Sequence, residues 1–179
     1  MTTTGLLLAA GAGRRMGKPK ALVDGWLPHA VESLAGCDAV VVVLGAGADQ
    51  ARPLLHRHHV TVVVAADWAD GMGASLAAGL AQVMQGDATR CVVTLVDLPD
   101  VGAPVVDRLL DQPDVAGVLA RATYDGVPGH PVLLGRDHWA AIAATATGDQ
   151  GAKDYLAAHP TVVVECGDLA SGRDVDAFA

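Results

Sequence analysis

The sequence predicts a three-layer α/β/α domain built on a mostly parallel sheet with a small antiparallel insertion. Two observations predict it. The apolar runs are short, rich in valine and almost uninterrupted by polar residues, as in strands buried on both faces. Over the first 110 residues these runs alternate with helical stretches, as in an open parallel sheet covered by helices on both sides.

The strands read in order as "GLLLAA" (5–10), "AVVVVLG" (39–45), "VTVVVAA" (60–66) and "CVVTLVD" (91–97). Between them, "LPHAVESLAG" (27–36) is a helix with Gly36 as its stop. "ADQARPLLHRH" (48–58) is a weaker helix, because Pro53 fits only in a first turn. "GASLAAGLAQVMQG" (73–86) has apolar residues at helical spacing, and "APVVDRLLDQ" (103–112) starts with Pro104 in its first turn. Residues 115–135 change character and predict two strands joined by a turn rich in glycine and proline, the antiparallel insertion. Two short helices, "RDHWAAIAATA" (136–146) and "GAKDYLAAH" (151–159), and a last strand, "TVVVECG" (161–167), complete the pattern.

With 179 residues and 51% hydrophobic content, the whole chain (1–179) is expected to form one domain. A net charge of −8 argues against nucleic acid or an anionic membrane surface as partner. Cys37, Cys91 and Cys166 are scattered and unpaired in sequence, the pattern of reduced thiols in the cytoplasm. No basic segment followed by a long apolar stretch marks a signal peptide, and no apolar run reaches the ~20 residues of a membrane helix.

Against this acidic background, "GAGRRMGKPK" (11–20) gathers Arg14, Arg15, Lys18 and Lys20 just after the first strand. Ligands of open α/β sheets bind at that edge. Glycines there let the backbone approach an anion closely. The loop is not a Walker A motif, since Ala12 stands at the first glycine and Pro19 at the Ser/Thr position. Nor is it a dinucleotide fingerprint, because Met16 stands at the third glycine and the second strand ends in Leu44-Gly45 rather than an acid. Asp97 follows a buried strand and suits Mg²⁺, though an Asp before Pro99 also suits a turn. Ser75 suits a helix N-terminus, and Asp174 and Asp176 suit a solvated tail. "HRHH" (56–59) reads as a solvated helix end, and Trp26 and Trp139 as packing residues, with Trp68 set apart by its neighbours.

"LAAGAGRRMGKPKAL" resembles the G-x-G-x-R-M-G-x-P-K loop of the MobA-like nucleotidyltransferases, the family of the molybdenum-cofactor guanylyl- and cytidylyltransferases. "DWADGMGASLAAGL" (67–80), "LVDLPDV" (95–101), "GHPVLLGRDHW" (129–139), "GDQGAKDYL" (148–156) and "GRDVD" (172–176) resemble further segments of it in the right order. The resemblance implies a Rossmann-like nucleotide-diphospho-sugar-transferase fold. It implies base contacts through the backbone of Leu8, Ala9 and Ala10, a phosphate cradle at Gly11 and Gly13, and triphosphate binding by Arg15 and Lys20. Asp67 and Ser75 would join the nucleotide site. Asp97 would bind Mg²⁺ with Asp174 and Asp176, making Arg15, Lys20 and Asp97 the catalytic set and leaving Arg14 and Lys18 as surface charges. His130 would meet the acceptor.

The implied reaction transfers a nucleoside monophosphate, from CTP rather than GTP because of Ala10, to a phosphorylated acceptor. Molybdopterin is the implied acceptor and a molybdoenzyme the implied partner. Two alternatives stand beside it: an oxidoreductase on the same scaffold, as in relatives of nicotine catabolism, and a non-catalytic nucleotide binder in molybdoenzyme maturation. The sequence departs from the family pattern at Ala65, where an Asn is common, and at Val127, where a polar residue is usual.

Overall fold

A computed structural model describes residues 2–176. Its seven strands are β1 (Thr3–Ala9), β2 (Ala39–Leu44), β3 (Thr61–Val64), β4 (Arg90–Leu95), β5 (Leu119–Tyr124), β6 (Val127–Gly135) and β7 (Val162–Glu165). They form one sheet in the order β3-β2-β1-β4-β6-β5-β7. Only β6 runs against its neighbours; every other pairing is parallel. The antiparallel insertion is thus a single strand between β4 and β5.

The six helices are α1 (Trp26–Glu32), α2 (Ala48–Ala51), α3 (Met72–Val83), α4 (Ala103–Leu110), α5 (Arg136–Thr145) and α6 (Lys153–Ala158). They form two layers. Residues of α1, α2 and α4, such as Leu27, Ala51 and Val106, pack on one face of the sheet. Residues of α3, α5 and α6, such as Leu80, Ile142 and Leu156, pack on the other. The continuous apolar run of β1 follows from this: Leu7 and Ala9 enter the first layer, Leu6 and Leu8 the second. Trp139 is fully buried and its indole N–H donates to the Leu134 carbonyl at 2.9 Å, so it is a packing residue as expected.

One predicted helix is cut short. Residues 48–58 form only the single turn of α2, followed by a 3₁₀ turn at Arg52–Leu55. Pro53 lacks the N–H that would continue the α-helical ladder. The His56–His59 cluster follows this turn, and its side chains do not converge on a metal-binding group among the described residues. The three cysteines are free. Burial raises the Cys37 thiol to about 12 and the Cys91 thiol further, so both stay protonated. Among the described residues no helix is long and apolar enough to cross a membrane.

The β5–β6 hairpin turns through Asp125 (φ 51°) and Gly126 (φ 78°), the Asp-Gly pair favoured in a tight hairpin. Glu165 of β7 braces it. Its carboxylate accepts hydrogen bonds from the backbone N–H of Gly167 (2.8 Å), the Thr123 hydroxyl (2.9 Å) and the N–H groups of Gly126 (3.1 Å) and Asp125 (2.9 Å). These donors, led by Gly167 and Thr123, pull its pKa from 4.5 down to about 2. A folded-state pKa below the unfolded one gives stability that is present above 4.5 and lost as pH falls toward 2. Glu165→Gln is therefore expected to lower the melting temperature at pH 7 and to flatten its decline between pH 4.5 and 2, measured by thermal unfolding across that range.

Candidate active site

The chain winds from β1 out to β3 and then crosses back to place β4 on the other side of β1, so strand order reverses between β1 and β4. A crevice opens at the carboxyl ends of strands at such a switch point. Here a cleft of about 550 Å³ lies there, within the range of ligand sites.

The glycine-rich loop forms one wall. Gly13 has φ 58°, and a Cβ on it would lie 2.0 Å from the Lys18 carbonyl oxygen, so only glycine lets the loop fold back on itself. A 3₁₀ turn at Lys20–Leu22 then returns Lys20 toward the end of β4. Its ammonium pairs with the Asp97 carboxylate and, at 2.8 Å, with Asp176. Arg15 reaches the other Asp176 oxygen at 2.6 Å. The Lys20 and Asp97 side chains are only 16% and 12% exposed, whereas Arg15 is 76% exposed. The Lys20–Asp97 pair is therefore the shielded one, and the Arg15 contact is screened by solvent. Burial acts to lower the Lys20 pKa, but hydrogen bonds to Asp176 and Asp97 outweigh it and the net shift is upward. The Lys20 hydrogen bond leads in holding the Asp176 carboxyl below its ordinary range.

Residues 171–176 form a strap at the cleft wall, held by three contacts. The Ser171 N–H and hydroxyl both donate to Asp100 Oδ2 at 2.6 Å. Gly172 (φ 62°) lies so close to the Tyr124 ring that a Cβ would stand 2.0 Å from it. The Val175 N–H donates to the Asp97 carbonyl at 3.0 Å. Asp97, Asp174 and Asp176 each thereby bring a carboxylate oxygen within 4.8 Å of the others. An all-oxygen donor set of this kind suits a hard divalent cation such as Mg²⁺ or Mn²⁺.

Leu8, Ala10, Gly11, Gly13, Arg15, Lys20, Ser75, Asp97, Asp174 and Asp176 all line the cleft. Ser75 is buried in the first turn of α3, so it is both a helix-start residue and a wall residue. Strand alternation turns the Ala9 side chain into the first core layer. The structure does not bring Asp67 to the cleft lining. Asp67 is exposed ahead of the 3₁₀ turn Trp68–Asp70, and that turn presents Trp68 to the cleft instead. Arg14 is exposed, as expected of a surface charge, and also lies at the cleft wall.

His130 lies elsewhere, in a smaller cavity of about 210 Å³ that shares Leu8, Met72 and Asp149 with the cleft. Burial, followed by the nearby Arg121 charge, lowers its pKa to about 4, while Asp174 opposes the shift. His130 is neutral at pH 7. Sequence reasoning missed Arg121 and Lys153, which also line this cavity. Arg121 is an isolated charge within a strand, and no local motif marks it. Ala65 is buried in the second layer, and Val127 is exposed at the start of β6.

Residues 5–162 match the family model of the MobA-like NTP transferase domain. The chain belongs to that family. It is 37% identical to the nicotine blue oxidoreductase of Paenarthrobacter nicotinovorans, over 97% of this chain and 91% of the relative. The crystal structure of Rv0371c from Mycobacterium tuberculosis matches at TM-score 0.80 and 29% identity, over 99% of this chain and 93% of that one. A manganese complex of the same protein matches at TM-score 0.73 and 25% identity, over 93% and 89%. A nucleotidyl transferase from Methanothermobacter shares the fold at TM-score 0.76 and 20% identity, over 92% and 87%. Family membership accords with the doubly wound sheet and with the loop that ends in Lys20.

Proposed function

We propose that this protein is a metal-dependent nucleotidyltransferase that moves a nucleoside monophosphate from a nucleoside triphosphate to a phosphorylated small-molecule acceptor, releasing pyrophosphate. The convergence of Arg15 and Lys20 with the carboxylates of Asp97, Asp174 and Asp176 at the switch point carries this reading. In it, Leu8, Ala9 and Ala10 meet the base through their backbone, and Gly11 and Gly13 shape the phosphate cradle. Ala10 favours CTP over GTP. Asp67, just outside the cleft lining beside Trp68, would join the nucleotide site from its edge.

An acceptor phosphate has its second pKa near about 6 and is largely ionised at pH 7, so no strong base is needed. One of its oxygens bonds to the α-phosphorus, the α–β phosphoanhydride bond breaks, and pyrophosphate departs with that electron pair. Asp97, Asp174 and Asp176 would hold Mg²⁺, which supplies charge neutralisation on the phosphate oxygens. Lys20 would leave its carboxylate partners for the triphosphate, joined by Arg15 from the exposed rim. Molybdopterin is the acceptor, and a molybdoenzyme the partner, that the family resemblance suggests.

The 37% identical relative named as an oxidoreductase favours a second reading, reduction of a small molecule in this site. Met16 in place of the third fingerprint glycine speaks against a Rossmann-type dinucleotide site. A pyrophosphate-release screen over the four nucleoside triphosphates, with Mg²⁺ or Mn²⁺ and candidate acceptors, separates the two. Release is expected with CTP above GTP. NADH or NADPH oxidation without release from any nucleotide would overturn the transferase reading.

The strap gives a further expected result. Gly172→Val forces a side chain into the Tyr124 ring and displaces Asp174 and Asp176. Mn²⁺ binding, followed by electron paramagnetic resonance, is expected to weaken by about tenfold or more, equivalent to about 1.4 kcal/mol.

A further inference from the structure

We propose that the smaller cavity takes a compact, largely apolar molecule bearing a phosphomonoester, and that Arg121 clamps the phosphate. The proposal deepens the transferase reading and rests on it only for the fate of that phosphate.

The cavity is unusual in its balance of charge. Leu76, Val93, Val132, Leu134 and Leu156 make its walls apolar, and its volume of about 210 Å³ is below the usual range for drug-sized ligands. Arg121 enters it from β5 with no carboxylate partner among the described residues. Its Nε is buried and has no hydrogen-bond partner among them. One terminal nitrogen approaches the Gly129 carbonyl at 3.4 Å, longer than a good N–H···O bond. Burial lowers the guanidinium pKa, but arginine stays charged at neutral pH.

A half-buried cation without a counter-charge carries a desolvation cost that an anionic ligand would offset. A guanidinium fork matches phosphate oxygens two at a time. His130 lines the same cavity and adds a hydrogen-bonding group. Lys153 and Asp149 stand exposed at the rim.

Position supports the same assignment. The cavity meets the cleft at Leu8, Met72 and Asp149. Arg121 and His130 line this same cavity. A phosphate held by Arg121 then sits in a cavity that adjoins the nucleotide cleft, with the apolar body against the leucine walls.

The test is calorimetric titration of the protein, without nucleotide or metal, with phenyl phosphate, benzoate, benzyl alcohol and inorganic phosphate. Phenyl phosphate is expected to bind tightest. Arg121→Met is expected to weaken it at least tenfold, Arg121→Lys less, and Lys20→Met little. Thermal unfolding and NMR of the His130 ring establish that each variant keeps its fold and local geometry. Equal binding of phenyl phosphate by Arg121→Met, or loss with Lys20→Met alone, would overturn the assignment. Benzoate binding as tightly would overturn the phosphate, and inorganic phosphate binding as tightly would overturn the apolar body. Arg121-dependent binding together with no pyrophosphate release from any nucleotide would instead retain this site and overturn the transferase reading.

Discussion

Asp97→Ala is expected to lower pyrophosphate release by about 10³-fold while leaving a folded protein. Two opposite unit charges about 4 Å apart interact by about 4 kcal/mol at an effective dielectric of about 20, which corresponds to about three powers of ten in rate. Asp97 is the most shielded carboxylate of the cluster, at the end of β4, and its backbone carbonyl also fixes the strap through Val175. The backbone contact survives truncation of the side chain, so the loss falls on metal binding and rate. Lys20 keeps Asp176 as a partner in the variant, which spares the fold. Initial rates with CTP and Mg²⁺ measure the effect, and thermal unfolding establishes that the protein is intact.

Lys20→Met is expected to change two measurements in opposite directions. Lys20 pairs with both Asp97 and Asp176 and offsets part of their charge. Without its charge the cluster attracts a divalent cation more strongly, so Mn²⁺ affinity without nucleotide is expected to rise by about tenfold. The same variant lacks the cation that would move to the triphosphate, and pyrophosphate release is expected to fall by about 10²–10³-fold. A residue that only holds the loop in shape would weaken both. Wild-type protein is in turn expected to bind metal and nucleotide synergistically, because triphosphate draws Lys20 away from the carboxylates.

The fold was legible because its strongest signals are local. A leucine-rich run marked β1, valine-rich runs marked β2, β3 and β4, and the helices between them marked the parallel arrangement. The point where the strand order reverses was not local, yet it decides which loops meet. The strand-end loops at Gly11 and Asp97 could be singled out because each follows a buried run. Their convergence with Asp174 and Asp176 depends on a strap held by Ser171, Gly172 and Val175 through contacts distant in sequence, such as Ser171 with Asp100, 71 residues apart. Asp67 illustrates the opposite outcome. It lies in a family-like segment, but one 3₁₀ turn exchanges it for Trp68 at the cleft wall. Arg121 was invisible because its meaning comes from having no carboxylate partner among the described residues, which no spacing in the sequence encodes.

The most direct test of the central claim, a metal-dependent nucleotide site at the β1–β4 switch point, is calorimetric titration of CTP and GTP into the protein with and without Mg²⁺, alongside Asp97→Ala. Binding that requires the metal, favours CTP and falls at least tenfold in Asp97→Ala is the expected result. No binding of either nucleotide in the presence of Mg²⁺, or equal binding by wild type and Asp97→Ala, would contradict it.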